Sequence, residues 1–282
     1  LDIPGATVET FHPKAVHLYG NTLYVANDAP GHYSLEVFDV SSGNVRHVKS
    51  MVEWMNGDKK ETFAGEPNGV TRSYGKIYVT NTGSRTDVFD AETYEFITCI
   101  GTGTWGEGGY QTVHAFDVTA SQGAVFIRDK RKLVVVLEQD VQPGSAARVP
   151  IYSRSVNLQE AMGTYAVAAR NDGFLYVTAQ NKNIIYLFDP ADIRAGDTGF
   201  APYLVTLGFE KSPQSIAFVG DRLFVTLRVD DKRSELWEIS PKNGKLLQDF
   251  TDSMVYPEKI AGARHTLLVV DRATQTVKAI GL

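Results

Sequence analysis

The chain has 282 residues, 43% of them hydrophobic, which is enough for one large all-β domain or two smaller ones with a substantial core. Its net charge is only −5 and its basic residues are scattered, so the composition gives no sign of a nucleic-acid or anionic-membrane partner. No apolar run approaches the roughly 20 residues of a membrane span. The single cysteine, Cys99, excludes an intramolecular disulfide and lies in an apolar strand, where we expect it to be buried.

The cellular compartment is only weakly indicated. A chain without disulfide bonds fits the cytoplasm, a bacterial periplasm or a cell surface. The sequence does not begin with Met and shows no signal peptide, which favours export followed by removal of a leader or anchor. We therefore expect an extracytoplasmic protein, whether periplasmic, on the cell surface or secreted.

One pattern of four short strands repeats along the chain. Residues 67–100 show it most clearly, with a Pro-x-Gly start, a turn at Gly75, and strands around Tyr78, Phe89 and Phe96. The centre of the second strand recurs at steps of 54, 48, 50, 48 and 44 residues, as expected of propeller blades. These six positions are Tyr24, Tyr78, Phe126, Tyr176, Phe224 and Leu268.

Two further features mark the repeats. Proline stands eleven residues before the central position in four of the six units, at Pro13, Pro67, Pro213 and Pro257. Asp39, Asp90 and Asp189 end third strands, where a carboxylate can accept hydrogen bonds from the backbone amides of the following turn.

These repeats predict an all-β fold, a single six-bladed β-propeller over residues 1–282. The last unit is one strand short, while residues 6–11 precede the first proline with no unit of their own. We therefore expect this N-terminal strand to complete the last blade and close the ring. The predicted blades are 13–50, 66–100, 113–156, 164–208, 213–251, and 257–282 together with 6–11.

The repeats resemble those of the NHL-repeat propellers. The resemblance is carried by the glycine-punctuated run 101–110 leading into Ala115-Phe116-Asp117-Val118, with Val113 where proline is usual. The segment Pro67-Asn68-Gly69-Val70 and the Tyr-Val-x-Asn strands carry it as well. The resemblance implies the six-bladed fold and leaves function open, because such propellers include binding modules and enzymes.

A functional site is expected at the channel mouth, where the connections between strands share one face. The side chain after each blade-opening residue is expected to point there: Lys14, Asn68, His114, Tyr165, Gln214 and Glu258. The long connections 50–66 and 101–113 are expected to rise as walls carrying aromatic groups. The predicted ligand contacts are Trp54, Glu66, Asn68, Trp105, Tyr110, His114, Arg128, Tyr165, Gln214, Arg228 and Glu258.

The favoured hypothesis is a non-catalytic, exported NHL-like propeller without a cofactor. It would bind a small carbohydrate, a peptide or a protein partner across the channel mouth. A protein–protein platform that uses only the rim remains open.

The alternative is a calcium-dependent hydrolase or lactonase. Some six-bladed relatives, the lactonase and gluconolactonase group, hold calcium at the channel mouth, and calcium takes 6–8 oxygen ligands. The candidate ligands here are Glu66, Asn27, Asn81, Asp129 and Asp271, with Glu258 as a further oxygen donor. His114 would act as the general base in such an enzyme.

Overall fold

A computed structural model describes residues 7, 9–41, 44–102, 112, 114–129, 133–143, 166–189 and 203–282. Within these ranges the chain folds into six antiparallel sheets and one separate hairpin. No helix in the described ranges is long and apolar enough to cross a membrane.

The first two blades are complete four-stranded sheets. Blade 1 contains β1 (Pro13–Tyr19), β2 (Thr22–Asn27), β3 (Ser34–Asp39) and β4 (Arg46–Met51). Blade 2 contains β7 (Pro67–Ser73), β8 (Lys76–Asn81), β9 (Arg85–Asp90) and β10 (Phe96–Ile100). Between them lies a hairpin of β5 (Glu53–Asn56) and β6 (Lys59–Thr62).

The other four blades follow the same order. Blade 3 contains β11 (Ala115–Ser121), β12 (Ala124–Asp129) and β13 (Leu133–Leu137). Blade 4 contains β14 (Val167–Ala169), β15 (Leu175–Ala179), β16 (Ile184–Phe188) and β17 (Tyr203–Gly208). Blade 5 contains β18 (Ser212–Val219), β19 (Arg222–Arg228), β20 (Ser234–Ile239) and β21 (Leu246–Asp249). Blade 6 contains β22 (Pro257–Ala263), β23 (Thr266–Asp271) and β24 (Thr276–Gly281).

The six sheets close into a ring. Each first strand lies beside the first strand of the next blade, and β1 lies beside β22, which joins the two ends. Because side chains alternate across a strand, the second strand of each blade contributes to two cores. Tyr24 packs with Val70 and Ile77 of blade 2, whereas Val25 packs with Val270 of blade 6. The predicted six-bladed β-propeller is therefore confirmed.

The predicted turns after Asp39 and Asp90 form as expected, whereas the residues that follow Asp189 lie outside the described ranges. Asp39 Oδ1 accepts a hydrogen bond from the amide of Ser41 at 2.9 Å, and Asp90 Oδ1 accepts two, from Glu92 and Thr93 at 2.8 Å each. These backbone donors hold the pKa of Asp39 down at about 2 and lower that of Asp90.

Cys99 is buried, as expected, and burial raises the pKa of its thiol to about 11.

The closing segment differs from the prediction. The described part of residues 6–11 is a turn, in which the amides of Thr10 and Phe11 donate to the carbonyl of Thr7, each at 3.0 Å. It does not pair with β24, and blade 6 has three strands in the described ranges. Phe11 instead inserts its ring between blades 1 and 6, beside Val25 and Val270. In the described residues, apolar packing rather than a fourth strand joins these two blades.

Candidate functional site

A repeated irregularity in the backbone builds the channel mouth. Within the described residues, five blades show a one-residue shift in the pairing of the first and second strands at the start of the first strand, as in a β-bulge. A bulge turns one extra side chain away from the normal alternation. The residues at these bulges are Lys14, Asn68, Phe116, Gln214 and Glu258.

All five bulge residues line one cavity of about 540 Å³ at the channel mouth. A second layer comes from residues at or just beyond second-strand ends, namely Thr82, Gln180, Arg228 and Arg272. The remaining lining residues are Glu66, Asp231, Tyr256 and Lys259. All six blades therefore contribute to a single concave, mainly polar site.

The floor of this cavity is an ion pair across the ring. Lys259 of blade 6 places its Nζ 3.5 Å from Asp117 Oδ1 of blade 3, the opposite blade. Asp117 Oδ2 also accepts a hydrogen bond from the amide of Val167 at 3.0 Å. Burial lowers the pKa of Lys259 and raises that of Asp117, while each partner opposes the shift of the other. Beyond this pair the channel narrows to a cavity of about 180 Å³.

Small side chains at the matching positions of other blades leave room for the pair. In register with Asp117 and Lys259 stand Ala15, Gly69 and Ser215. A Cβ at Gly69 would lie 2.8 Å from the Cα of Asp117. The glycine of the Pro-x-Gly motif is therefore needed for close approach of blades 2 and 3.

One side of the mouth carries a network of charges. Lys14 Nζ lies 3.0 Å from Glu258 Oε1 and 3.8 Å from Asp28 Oδ2. Arg272 Nη1 lies 3.5 Å from the same Glu258 oxygen. Burial raises the pKa of Asp28, and the nearby carboxylates of Glu258 and Glu66 raise it further against the opposing effect of Lys14. This corner of the site is rich in carboxylates.

Five predicted ligand contacts do meet at the cavity: Glu66, Asn68, Gln214, Arg228 and Glu258. Whether they bind a ligand stays a prediction. Trp105, Tyr110 and Tyr165, together with most of the 101–113 connection, lie outside the described residues.

Three other predicted contacts lie away from the cavity lining. Trp54 is buried in the core, with its ring centre 4.9 Å from that of Phe63 and 5.0 Å from that of Phe89. Arg128 is fully buried, and burial lowers its pKa to about 9. His114 stacks on Phe116 with the ring centres 6.0 Å apart, and Phe116 is the residue that lines the cavity.

The position of His114 shows that blade 3 begins two residues later than the predicted start at residue 113. Ala115 pairs with Asp129 as Pro13 pairs with Asn27, so blade 3 begins at Ala115. Phe116 therefore occupies the position at the channel mouth that was predicted for His114. The eleven-residue spacing to Phe126 gives Ala115 directly and would have identified it. No such signal in the repeats marked Tyr256 or Lys259, which the fold brings to the cavity.

The candidate calcium ligands at second-strand ends serve the backbone instead. Asn27 Oδ1 accepts a hydrogen bond from the amide of His12 at 2.7 Å, and Asn81 Oδ1 accepts one from Gly83 at 3.0 Å. The two carboxylate oxygens of Asp271 accept from Val255 and Tyr256, each at 3.0 Å. Asp129 is fully buried beside Arg128.

Glu66, by contrast, is exposed at the cavity. In the part of the chain that the structure describes, no three His, Cys, Asp or Glu side chains are grouped to hold a metal.

The fold and site define the chain as a six-bladed β-propeller with a polar cavity at the channel mouth. No protein-family model and no curated protein sequence matches it. Among solved structures, the Cps50 (Swd1) β-propeller domain of Myceliophteria thermophila is 11% identical, with a TM-score of 0.62 and 99% coverage of both chains.

Two further solved structures that bear the names of enzymes are similar to this chain in fold. A putative 6-phosphogluconolactonase from Bacteroides fragilis is 15% identical, with a TM-score of 0.60 over 95% of this chain and 80% of the other. Virginiamycin B lyase from Staphylococcus aureus is 12% identical, with a TM-score of 0.63 over 98% and 96% of the two chains. At these identities the likeness establishes the propeller fold and not an activity.

Proposed function

We propose that this protein is a non-catalytic binding propeller that holds a small polar ligand in the cavity at its channel mouth. The observation that carries the proposal is a single cavity of about 540 Å³ lined by side chains from all six blades. Its volume falls within the range of small-molecule sites. Most of its lining side chains are hydrogen-bonding groups, and two are aromatic.

A carbohydrate or a short peptide suits this lining best. Phe116 and Tyr256 offer ring surfaces, and Gln180, Gln214 and Asn68 offer planar amides. The aromatic contacts thus come from the strand β11 and the approach to β22, whereas Trp54 supports the core. Contacts from Trp105 and Tyr110, a protein partner at the rim, and export from the cytoplasm remain predictions.

The calcium-dependent hydrolase remains the alternative, but no specific observation favours it. Three of its five candidate ligands already use their side-chain oxygens for backbone amides. Glu66 is the candidate that faces the cavity. A propeller fold shared with a lactonase and a lyase does not by itself transfer their chemistry.

The test is a binding screen with cavity variants. Neutral and charged saccharides and short peptides are screened by thermal unfolding, because a ligand that binds only the native state stabilises it by about 2.7 kcal/mol at 100 times its dissociation constant. Hits are measured by calorimetry against the wild type, Gln180→Ala and Phe116→Ala. We expect each variant to weaken binding about tenfold, or roughly 1.4 kcal/mol.

Gln248→Ala is the matched control, because Gln248 lies on the exposed outer strand β21 of blade 5. It should leave affinity unchanged. A screen with no binder, or binders indifferent to both cavity variants, would reject the proposed site.

A further inference from the structure

The cavity has a distinct charge pattern. Each of the four cationic side chains in the described part of its lining already has a carboxylate within 4 Å. Lys14 and Arg272 share Glu258, Arg228 pairs with Asp231, and Lys259 pairs with Asp117. These pairs leave little positive charge for an anionic ligand.

Glu66 is the exception among the acidic residues of the cavity. Its carboxylate has no cation within 4 Å in the described part of the chain, although its backbone is tied to Thr82 by two hydrogen bonds of 3.0 Å. Its charge adds to those of Asp28 and Glu258, since both Glu66 and Glu258 raise the pKa of Asp28. The side of the cavity formed by blades 6, 1 and 2 therefore carries three carboxylates, Asp28, Glu66 and Glu258, against the two cations Lys14 and Arg272.

Asn68, two residues further along, supplies the second observation. Its bulge position turns it toward the cavity, and the residue is only 5% exposed. Its Nδ2 is buried and has no hydrogen-bond partner among the described residues. A buried amide donor without a partner costs about 1–3 kcal/mol, so an acceptor from a bound ligand would relieve this cost.

We propose that the cavity selects a ligand carrying a primary ammonium group close to a hydrogen-bond acceptor. The ammonium pairs with Glu66, and the acceptor receives a hydrogen bond from Asn68 Nδ2. Tyr256 also lines this cavity, and an aromatic ring attracts a cation placed over its face. This inference rests on the proposed ligand site and adds its selectivity.

Two kinds of molecule share this chemistry, an amino sugar and the amino terminus of a peptide. In the sugar the acceptor is a neighbouring hydroxyl, and in the peptide it is the first carbonyl. Each has a neutral counterpart in which the amine is acetylated. The comparison within each pair isolates the charge on nitrogen from the rest of the ligand.

The experiment measures the affinity of glucosamine against N-acetylglucosamine, and of glycylglycinamide against its N-acetyl form, by calorimetry at pH 6.5. We expect the amine to bind about tenfold more tightly than its acetylated form in at least one pair. The pair that shows the difference identifies the source as sugar or peptide. Equal affinity within both pairs, or no binding by either amine, would overturn the inference.

Three variants locate the effect. Glu66→Gln keeps the shape and removes the charge, so it should abolish the preference for the amine. Asn68→Ala should lower the affinity for the amine several-fold. Its unfolding temperature should show that the variant is still folded. Glu92→Gln, at an exposed turn of blade 2, is the matched control and should change nothing. A preference that survives Glu66→Gln would also overturn the inference.

The proposed function and this inference fail in different ways. In one outcome, neutral saccharides or acetylated peptides bind with dependence on Gln180 and Phe116, and the amines bind no more tightly than their acetylated forms. The cavity is then a ligand site without amine selectivity, and only the inference falls. If no probe shows dependence on cavity residues, both fall.

Discussion

Individual residues at one backbone position set the chemistry of this propeller. Five blades share the bulge at the start of the first strand in the described residues, but the side chain that it presents is lysine, asparagine, phenylalanine, glutamine or glutamate. The backbone thus fixes the positions of these side chains, and the sequence determines their charge and hydrogen-bonding groups. Substitutions at these positions are therefore expected to alter binding more than folding.

At Gly69 the packing of blades 2 and 3 leaves no room for a side chain. A Cβ there would meet Thr80 Oγ1 at 2.7 Å and the Cα of Asp117 at 2.8 Å. Because one of these atoms belongs to the backbone of the next blade, we expect Gly69→Ala to destabilise the protein by about 1–3 kcal/mol. Chemical denaturation of the purified variant measures this loss.

Gly208 provides the control for that substitution. It also lies in a strand, and nothing stands within 4 Å of the position of its Cβ. Gly208→Ala should therefore leave stability within about 0.5 kcal/mol of the wild type. Equal effects of the two alanines would show that blades 2 and 3 are less tightly packed than the structure indicates.

His17 predicts a pH dependence of stability. It lines the narrow part of the channel, where burial and the neighbouring charge of Arg72 lower its pKa to about 4. The unfolded chain, with the ordinary histidine pKa near 6.5, binds a proton first as the pH falls. Stability from this residue is therefore present above about pH 6.5 and is lost as the pH falls toward 4.

The measurement is the unfolding temperature of the wild type and His17→Gln between pH 8 and pH 5. Glutamine does not titrate, so the wild type should lose more stability on acidification than the variant does. Parallel curves for the two proteins would show that His17 is not held neutral in the native channel.

At the scale of elements, the connection between blades 1 and 2 is a structural clamp. Trp54 of the β5–β6 hairpin packs against Phe89 and Phe96 of blade 2. Arg85, at the start of β9, binds Glu61 Oε2 at 2.9 Å and the carbonyl of Thr62 at 3.2 Å. The hairpin is thereby fixed to blade 2 by its aromatic face and by a charged anchor.

Replacing Trp54 by alanine should therefore reduce stability and leave ligand affinity unchanged. Truncation of a buried aromatic residue costs about 3–5 kcal/mol because it removes apolar contacts and leaves a cavity. Met55 is the control, since it lies beside Trp54 in β5 and is 57% exposed. Met55→Ala should have little effect on denaturation.

The outcome also tests the sequence interpretation of Trp54. A Trp54→Ala protein that keeps its stability but loses binding would restore Trp54 as a ligand contact. It would also mean that the aromatic cluster contributes little to the fold.

At the scale of the whole molecule, one ion pair joins opposite sides of the ring. Lys259 and Asp117 lie in blades 6 and 3, separated by half of the propeller. Lys259 lines the cavity at the channel mouth and Asp117 lines the narrower cavity beyond it, so their contact lies where the two cavities meet. A substitution of either residue should therefore change the floor of the cavity and also lower the stability of the ring.

A double-mutant cycle measures this coupling. Removing one member of a buried ion pair leaves an uncompensated charge, so Asp117→Leu and Lys259→Met should each cost about 3–5 kcal/mol. The double variant should be more stable than the sum of the two effects predicts. Additive losses, measured by denaturation, would show that the two groups do not interact across the channel.

The repeat pattern was sufficient to predict the six-bladed architecture because every blade has the same local structural requirements. Each blade needs an apolar second strand, a tight turn before it and a polar end, so these signals recur at blade spacing. The closing segment was not predictable in this way. Residues 6–11 have strand-like composition, but their described part forms a turn, and Phe11 is buried between two blades.

The repeat pattern predicted only some of the residues of the candidate site. Glu66, Asn68, Gln214, Arg228 and Glu258 follow from their positions within the repeat. Asn27, Asn81 and Asp271 have the composition of metal ligands, yet their oxygens serve backbone amides. Composition cannot distinguish these roles, since both need an oxygen acceptor at a strand end.

The sequence by itself determined the number of blades, their order and the polar character of the channel mouth, because these depend on local periodicity. The tertiary structure decided which polar groups meet and which are already paired. It paired Lys259 with Asp117 across 142 residues of sequence, buried Trp54, and left Glu66 and Asn68 at the cavity. Such pairings depend on distances between blades, which no spacing along the chain encodes.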